Sequence, residues 1–475
     1  MNRSRTLLSL ATAACAALAL AAGPALASTG GSAPDGAGSA QATPKPSTTT
    51  KTTKTTKKTT KKPTGCTKKK CTTGKPTRTR SCKNPKKCGT TTSRPTTTTP
   101  GSTTPTTTTT TSPTTTPTTT TPTGPTPTPT LSDGPRAQGS LTGMVTAGRV
   151  KVNSTSWQFS WPGVAIEGAF TGTSVGVNID DVGAFFDVQV DGVTVATLNA
   201  PSTSTHWITG LRDGTHLFRL VKRSESTWST ATFGGLVAGS GGSVIAVPRP
   251  FKNRQIEFIG DSYTAGYGDL STSRSCTELN KLSNADVTFG ALTARALGAD
   301  YQLNAFSGRG MVRNYGGGEP GTSYRTYYDR ALLADANDVW QRPLSWKPQV
   351  VVIGLGINDF STTLNGNEAW ANTAALTAAY RSAYKEFVAK LRGIYGPSTV
   401  IVASATAVYP GNEMGPNVQQ VVTELNAAGD PNVKYWYYSD EGMDKLGCDW
   451  HPSAKDHQLI AQRLQDFLAT LKLGW

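Results

Sequence analysis

Alternating hydrophobic and polar positions recur between residues 139 and 247 of this 475-residue chain. The runs are short, and turn dipeptides separate them, among them Asp191-Gly192 and Asp213-Gly214, which favour tight hairpins. Evenly spaced strands of this kind predict an all-β sandwich of the jelly-roll type. The predicted strands are Trp157–Trp161, Ile166–Ala169, Ser174–Ile179, Phe185–Val190, Val193–Leu198 and Thr215–Val221.

The pattern changes after Pro250, where strand-like runs alternate with stretches of helical periodicity. This order predicts a mostly parallel sheet with helices on both faces, in which ligands bind beyond the carboxyl ends of the strands. The predicted strands are Ile256–Ile259, Tyr301–Ala305, Val350–Leu355 and Thr399–Ala403, and the predicted helices are Thr288–Leu297, Glu368–Tyr395 and Ser453–Leu473.

The first 135 residues are not expected to contribute to a folded core. Residues 1–27 carry Arg3 and Arg5, then an apolar run and a small-residue site, which is typical of a secretory signal cleaved before Ser28. Residues 28–135 are rich in Thr, Lys and Pro and predict a disordered tail and linker. We therefore expect an exported protein without a membrane span, with folded domains over residues 136–250 and 251–475.

The positive charge of the chain belongs to this tail. Residues 28–130 hold seventeen basic residues and one acidic residue, Asp35, an excess equal to the net charge of +16 of the whole chain. A flexible polycation outside the cell favours anionic cell-wall polymers as partners, and a solvated spacer is the alternative. Specific nucleic-acid binding is not expected, because no aromatic residue is interleaved with the lysines.

Removal of the leader leaves six of the seven cysteines, and an even number in an exported protein predicts disulfides. Two of them, Cys276 and Cys448, lie far apart in the folded part. The other four lie in the tail, where three pairings are open: Cys66, Cys71, Cys82 and Cys88. A zinc site there would be the alternative, but no histidine lies nearby, so no metal or cofactor is expected.

The run from Ile256 to Tyr263 carries the clearest chemical signal. A β-prone stretch stops at Gly260, and Ser262 follows two residues later. Glycine permits the tight strand-to-helix turn that exposes a serine hydroxyl at the edge of a sheet. Ser262 is therefore a candidate nucleophile for ester hydrolysis, which also requires a base and oxyanion donors.

Four histidines could supply the base. His206 and His216 lie in the predicted all-β part, where surface or sheet-edge positions are expected. His457 falls inside the last predicted helix, just after a capping pattern at Ser453 and Asp456. His451 lies in the loop before that cap and is followed by a proline, so it is the candidate base.

Two further segments follow predicted strands and could stabilise an oxyanion. Asn358 could aim a side-chain amide at the site, and Gly308 could give a backbone N–H where a side chain would obstruct approach. The backbone N–H of Ser262 would be the third donor. Ordinary turns after strands are the alternative for each segment taken alone.

The order Gly260-Asp261-Ser262, Gly308, Asn358 and His451 resembles the SGNH, or GDSL, hydrolase superfamily. With the preceding all-β part, which contains Phe159–Gly163 and His216–Arg223, residues 139 to 475 are most similar to carbohydrate esterase family 2. The resemblance implies a jelly-roll domain followed by a flavodoxin-like SGNH domain. It also implies removal of O-acetyl groups from plant polysaccharides without a metal.

The sequence departs from the superfamily at the position of the catalytic acid. The acid usually lies three residues before the histidine, where this chain has Cys448, whereas Asp449 lies two residues before. Asp449 could still orient the imidazole, or a backbone carbonyl could replace it in a Ser–His dyad, and both alternatives remain open. We also expect a Cys276–Cys448 disulfide that fastens the loop after the serine helix to the loop of His451.

The expected function is therefore that of an exported serine esterase acting on acetylated polysaccharide, with Tyr263 and Trp450 as candidate sugar contacts. A lipase or general carboxylesterase on the same scaffold is one alternative. A non-catalytic wall- or carbohydrate-binding protein is another, although binding alone would not require the complete set of catalytic residue types. A monomer is expected.

Overall fold

The computed structural model describes residues 128–246 and 253–475. The predicted signal sequence, the tail as far as residue 127 and the boundary residues 247–252 lie outside these described residues. The same holds for the four tail cysteines and their pairing. All the described residues belong to one compact unit.

The described residues before position 247 form two antiparallel sheets, which confirms the predicted all-β sandwich. The strand orders are β1-β8-β5-β10-β3-β2 and β11-β4-β9-β6-β7. The strands are β1 (Thr130–Gly134), β2 (Lys151–Val152), β3 (Trp157–Phe159), β4 (Ala165–Thr171), β5 (Val175–Asp180), β6 (Phe185–Val190), β7 (Val193–Asn199), β8 (Thr205–Thr209), β9 (Thr215–Lys222), β10 (Ala231–Ala238) and β11 (Ser243–Ile245).

Alternation along the strands builds the core between the two sheets. Val175, Val177 and Ile179 of β5 are fully buried, as expected for every second residue of a strand that covers a core. Phe159 of the first sheet meets Phe186 of the second edge to face, with ring centres 6.3 Å apart.

The hairpin predicted at Asp191-Gly192 is confirmed. Both residues have positive φ, 52° and 81°, and they join the paired strands β6 and β7. The hairpin predicted at Asp213-Gly214 is wrong, because this dipeptide joins β8 to β9, which lie in different sheets. A dipeptide that permits a turn does not determine which strands pair.

Three other expectations for the all-β part are wrong. Residues 130–134, assigned to the linker, form β1 and pair with β8. His206 and His216 are not surface or sheet-edge groups, because they lie on interior strands and are 3% and 7% exposed. Each ring has a carboxylate partner, with Nδ1 lying 2.6 Å from Asp133 and 2.7 Å from Asp191, respectively. This hydrogen bonding makes their burial tolerable.

The second part is the predicted α/β fold, with a five-stranded parallel sheet in the order β13-β12-β14-β15-β16. Numbered from its own first strand, this is the flavodoxin-like order 2-1-3-4-5. The strands are β12 (Gln255–Gly260), β13 (Asp300–Ala305), β14 (Val350–Gly354), β15 (Val400–Ala405) and β16 (Val433–Tyr437). The α-helices are α1 (Ser262–Ala265), α2 (Leu279–Leu282), α3 (Phe289–Ala296), α4 (Tyr324–Tyr327), α5 (Ile357–Phe360), α6 (Thr373–Tyr395), α7 (Met414–Ala427) and α8 (Ala454–Ala469).

Register places the ends of three neighbouring strands at one edge of this sheet. Gly260 at the end of β12 pairs with Ala305 of β13 on one side and with Gly354 of β14 on the other. The segments that leave these strands carry Ser262, Gly308 and Asn358. The sequence order of three separate motifs thus becomes one site.

Among the longer helices, the sequence missed one and misplaced the start of another. Residues Met414–Ala427 form α7, although Gly415-Pro416 resembles a turn, because the first turn of a helix tolerates proline. The helix predicted from Glu368 starts instead at Thr373, where the Asn372 side chain accepts a hydrogen bond from the Ala375 N–H. No helix in the described ranges has the length and hydropathy required to cross a bilayer.

Arg149 joins the two parts of the molecule. This all-β residue is fully buried, and its guanidinium lies 2.8 Å from the buried carboxylate of Glu257 on β12. The rings of Trp161, Tyr328 and Trp340 lie within 5.6 Å of the same guanidinium. A charged pair at this depth requires both parts, since neither would bury its ion alone.

Candidate active site

Ser262 begins helix α1 directly after the tight turn that ends strand β12. Asp261 caps this helix, with its carboxylate accepting a hydrogen bond from the Tyr263 N–H at 3.2 Å. A Cβ on Gly260 would collide with the Thr264 side chain, so only glycine allows the chain to turn this closely. The Ser262 side chain lies at the base of the site and is 6% exposed.

His451 reaches this serine from the loop before α8. Its Nε2 lies 2.8 Å from the Ser262 Oγ, and its Nδ1 lies 2.8 Å from the backbone carbonyl of Cys448. Since a carbonyl only accepts, the proton of the neutral ring stays on Nδ1 and leaves Nε2 free to accept the serine proton. Burial lowers the pKa of His451, which favours this neutral form.

The Asp449 carboxylate points away from this contact. Asp449 is exposed, has a φ of 51°, and accepts a hydrogen bond from the Tyr267 hydroxyl at 3.0 Å. The Tyr267 ring lies against the His451 imidazole, with ring centres 4.4 Å apart and planes tilted by 31°. Asp449 therefore supports the histidine through a tyrosine and through its charge, while the Cys448 carbonyl holds the ring N–H.

A disulfide between Cys276 and Cys448 ties the histidine loop to the segment after α1. The same two segments share backbone hydrogen bonds, from the Cys448 N–H to Gly268 and from the Asp449 N–H to Arg274. The close packing at Gly268 leaves no room for a Cβ against Cys448. The position of the His451 imidazole is thus fixed by covalent and hydrogen bonds together.

The two further oxyanion candidates lie on the neighbouring strand ends. Gly308 has a φ of 77°, and a Cβ there would project into open space. The Asn358 side chain is buried, with Nδ2 lying 3.0 Å from the Arg309 carbonyl and 3.3 Å from the Asp261 carboxylate. One amide hydrogen is therefore well bonded, and the other makes a longer contact that a substrate oxygen could replace.

The comparisons with known proteins follow the same two-part division. Residues 146–248 match the family described as carbohydrate esterase 2 N-terminal, and residues 256–464 match the GDSL-like lipase/acylhydrolase family. An acetylxylan esterase / glucomannan deacetylase of Cellvibrio japonicus is 40% identical over 335 residues, covering 69% of this chain and 91% of that protein. The chain belongs to carbohydrate esterase family 2.

Further proteins are similar to this chain over both parts. The cellulase/esterase CelE of Acetivibrio thermocellus is 34% identical over 322 residues, which span 66% of this chain and 38% of that longer protein. One similar solved structure is a carbohydrate esterase whose active site is described as having divergent catalytic and non-catalytic binding functions. Its TM-score is 0.64 at 38% identity, and the match covers 70% of this chain and 98% of that one. A family two carbohydrate esterase from Clostridium thermocellum, solved with cellohexaose, has a TM-score of 0.62 and 32% identity, covering 69% and 98%.

The protein is therefore a carbohydrate acetylesterase of the GDSL type.

Two buried carboxyl groups shape the electrostatics of its site. Burial raises the pKa of Asp261, next to the serine, to about 7. Burial also raises the pKa of Asp359 to about 6, although this carboxylate accepts the N–H groups of Met311, Val312 and Arg313. Asp359 thereby fastens the loop after Gly308 to the segment that carries Asn358.

The two candidate sugar contacts differ in exposure. Trp450 is 61% exposed beside the catalytic histidine, with the Arg274 guanidinium 5.8 Å from its ring centre. Tyr263 is only partly exposed, and its ring packs edge to face on the His451 imidazole at 5.4 Å. Trp450 is thus available to a sugar ring, whereas Tyr263 already uses its ring to pack the histidine.

Sequence reasoning missed two residues beside the site. Tyr267 lies against the histidine, and Glu225 reaches the Gly308 loop from the all-β part. Tyr267 lies within the segment after Ser262, so its nearness to the serine could have drawn attention to it. Glu225 has no local signal, because only the packing of the two parts brings it there.

Proposed function

We propose that this esterase is exported and removes O-acetyl groups from polysaccharide of the xylan or glucomannan type. The observation that carries the chemistry is the 2.8 Å contact between the His451 Nε2 and the Ser262 Oγ, with the Nδ1 proton held by a carbonyl. The substrate class is supported by the acetylxylan esterase / glucomannan deacetylase of Cellvibrio japonicus, at 40% identity.

In the first half of the reaction, Ser262 attacks the acetyl carbonyl while His451 accepts its proton at Nε2. The tetrahedral intermediate carries its negative charge on the former carbonyl oxygen. The N–H groups of Ser262 and Gly308 and the Asn358 amide are the donors for this oxyanion. His451 then gives its proton to the departing sugar oxygen, which leaves an acetyl group on Ser262.

In the second half, water attacks the acetyl-enzyme and His451 accepts a proton from it. Collapse of the second tetrahedral intermediate releases acetic acid, and the proton on His451 returns to the Ser262 oxygen. The same base serves both halves, so the reaction needs no second acid–base group.

The imidazolium formed in each half is stabilised without a directly bonded carboxylate. The Cys448 carbonyl accepts the Nδ1–H, and the Asp449 charge nearby raises the pKa of His451 against the larger, opposite effect of burial. We therefore assign a Ser262–His451 dyad, with Asp449 as a positioning residue that acts through Tyr267.

A lipase or general carboxylesterase remains the alternative activity on the same scaffold. Long acyl chains require an extended apolar groove beside the serine. The side chains that contact or flank His451 are instead aromatic, namely Tyr263, Tyr267 and the exposed Trp450, whose ring is of the kind that stacks on sugars. This composition favours a short acyl group on a carbohydrate.

The test compares the full chain with its Ser262→Ala variant on acetylated xylan, acetylated glucomannan, and short- and long-chain nitrophenyl esters. Ser361→Ala is the matched control, because the buried Ser361 hydroxyl has no hydrogen-bond partner within the described residues. We expect acetate release that is abolished only in Ser262→Ala. Preference for long chains would identify a lipase instead, and full activity of Ser262→Ala would refute the mechanism.

A further inference from the structure

Glu225 of the all-β part contacts the loop that carries Gly308. One oxygen of its carboxylate accepts the backbone N–H of Ser307 at 2.9 Å, and the other oxygen accepts the Ser307 hydroxyl. Ser307 is the residue immediately before Gly308. A carboxylate that accepts two donors from one residue fixes both the position and the rotation of that residue.

The Ser307–Gly308 peptide is held from both sides by this arrangement. On one side Glu225 holds Ser307, and on the other the Gly308 carbonyl accepts the Tyr315 N–H at 2.9 Å. The direction of the Gly308 N–H depends on the plane of the peptide that links Ser307 to Gly308. Gly308 has a φ of 77°. Because it is a glycine, no side chain of its own restricts this plane.

The chain on both sides of Glu225 is held by further hydrogen bonds. Arg223, two residues before, accepts the Ala285 N–H at its carbonyl and donates to the Ser283 and Lys281 carbonyls of the α/β part. Beyond Glu225, the Ser229 hydroxyl donates to Asp181 at 3.0 Å within the all-β part.

Glu225 also lies in an environment that preserves its contact with Ser307. Burial raises the pKa of this carboxyl group, and the two Ser307 hydrogen bonds and the nearby Lys222 act in the opposite direction. Lys222 itself is fully buried and donates to the Ser224 carbonyl at 2.8 Å. The two Ser307 hydrogen bonds orient the carboxylate toward the Gly308 loop.

We propose that Glu225 is a positioning residue that sets the direction of the Gly308 N–H in the oxyanion hole. The all-β part thereby completes the catalytic site, in addition to any role it has in binding polysaccharide. This inference rests on the proposed Ser262–His451 reaction, because an oxyanion hole has meaning only for acyl transfer.

The test measures kcat and KM of the full chain for an acetyl ester in Glu225→Ala, Glu225→Gln and Ser307→Ala. A misplaced oxyanion donor affects the transition state more than the ground state, so kcat should fall about 10- to 100-fold in Glu225→Ala with little change in KM. Affinity for methylboronic acid, which forms a tetrahedral adduct on serine, should fall with kcat. Glu225→Gln should recover most of the activity, because its amide can still accept the Ser307 N–H and bond the hydroxyl.

Arg219→Gln is the matched control, since Arg219 makes another contact between the two parts, at 2.8 Å to Asp286. This variant should lose stability but keep its kcat, because Arg219 does not contact the Gly308 loop. An equal loss of kcat in Arg219→Gln would mean that general docking of the two parts matters, and it would overturn the proposal.

A double-mutant cycle of Glu225→Ala with Ser307→Ala separates a specific contact from two unrelated defects. The combined loss in kcat should be clearly smaller than the product of the two single losses, because Glu225→Ala already removes the hydroxyl hydrogen bond that Ser307→Ala breaks. A folded Glu225→Ala variant with kcat within about twofold of wild type would refute the inference. If Glu225→Ala does not fold, Glu225→Leu takes its place, because leucine removes both hydrogen bonds to Ser307 and fills the same space, and an unchanged kcat in that variant refutes the inference. Retained activity in Ser262→Ala would instead show that the proposed reaction itself is wrong.

Discussion

Cys448 and Asp449 are adjacent in the chain but act on the catalytic histidine in different ways. The Cys448 carbonyl holds the Nδ1–H of His451 at 2.8 Å, whereas the Asp449 carboxylate holds Tyr267. Positive φ values at Asp449 and Trp450, 51° and 63°, turn the chain so that a backbone oxygen occupies the place of an acid. The imidazole is thus oriented by a group that cannot be removed by a side-chain substitution.

Asp449→Asn therefore tests the dyad directly. The loss of kcat should be less than about tenfold, whereas loss of a true triad acid costs about 10⁴. The acidic limb of the kcat/KM profile should move to lower pH, because the Asp449 charge raises the pKa of His451 and its removal allows burial to lower that pKa further. A pH–rate series with an acetyl ester measures both effects. A loss of kcat by several orders of magnitude would show instead that Asp449 acts as the acid of a catalytic triad.

A second buried histidine controls acid stability rather than catalysis. Burial lowers the pKa of His457 to about 3, while its Nδ1 accepts the Phe289 N–H. An unfolded chain binds this proton near the ordinary histidine pKa of about 6.5, so stability is fully present above that pH and is lost as the pH falls toward 3. Its neighbour Asp269, 3.9 Å away, has its pKa raised by burial, so it favours folding at low pH and opposes this trend.

His457→Asn isolates the histidine contribution, because the asparagine oxygen can still accept the Phe289 N–H without titrating. Between pH 7 and pH 5, wild type should lose about 2 kcal/mol more unfolding free energy than the variant, from 1.5 pH units at about 1.4 kcal/mol each. Denaturant unfolding at the two pH values measures the difference. Equal losses in the two proteins would contradict the assignment of a neutral buried His457.

The residues predictable from sequence are those that follow strands. Ser262, Gly308 and Asn358 could be identified because parallel strands align their carboxyl ends, and His451 because it precedes a helix cap. The role of the Cys448 carbonyl could not be predicted, since every residue has a backbone carbonyl and the residue type does not show which one bonds the histidine. The contact of Glu225 with Ser307 could not be predicted either, because it depends on packing between two domains.

At the scale of elements, the site is held by loops that are tied to each other. The segment after α1 and the segment before α8 share a disulfide and two backbone hydrogen bonds. Strands and helices with strong periodicity, such as β6 and α6, could be predicted from the sequence within a few residues. Sequence reasoning missed β10, whose Gly234-Gly235 pair interrupts the strand pattern at a bulge.

Replacing Cys276 and Cys448 by serine together tests how far the disulfide holds this arrangement. The bridge joins residues 172 positions apart, so the chain-entropy estimate is about 5 kcal/mol of unfolding free energy at most. The kcat at 25 °C should change less than about tenfold, since the backbone hydrogen bonds remain. Thermal inactivation and denaturant unfolding measure stability. A kcat near zero in a folded variant would show that the bridge itself orders the histidine.

At the scale of the whole molecule, buried polar contacts join the all-β part to the α/β part. Arg149 and Glu257 form a fully buried ion pair between them, and Glu225 bonds the Gly308 loop across the same boundary. The sequence predicted two domains in this order, but nothing in its periodicity indicated that they share buried charges. Their dependence on each other is a property of the assembled fold.

Arg149→Met should destabilise the protein by about 3–5 kcal/mol, because it leaves the Glu257 charge buried without its cationic partner. Arg136→Ala is the control: its ion pair with Asp180 is partly exposed, 30% on each side, and should contribute under about 1 kcal/mol. Denaturant unfolding of both variants measures the difference. Equal stability of the two variants would mean that the buried pair does not join the parts energetically.

Acetylation of Ser262 during turnover is the most direct measurement of the mechanism. With an activated acetyl ester in excess, acid quenching should trap the acetyl-enzyme, and mass spectrometry of the digested protein should place one acetyl group on the Ser262 peptide. An acetyl group on a different residue, together with wild-type turnover by Ser262→Ala, would contradict the assignment.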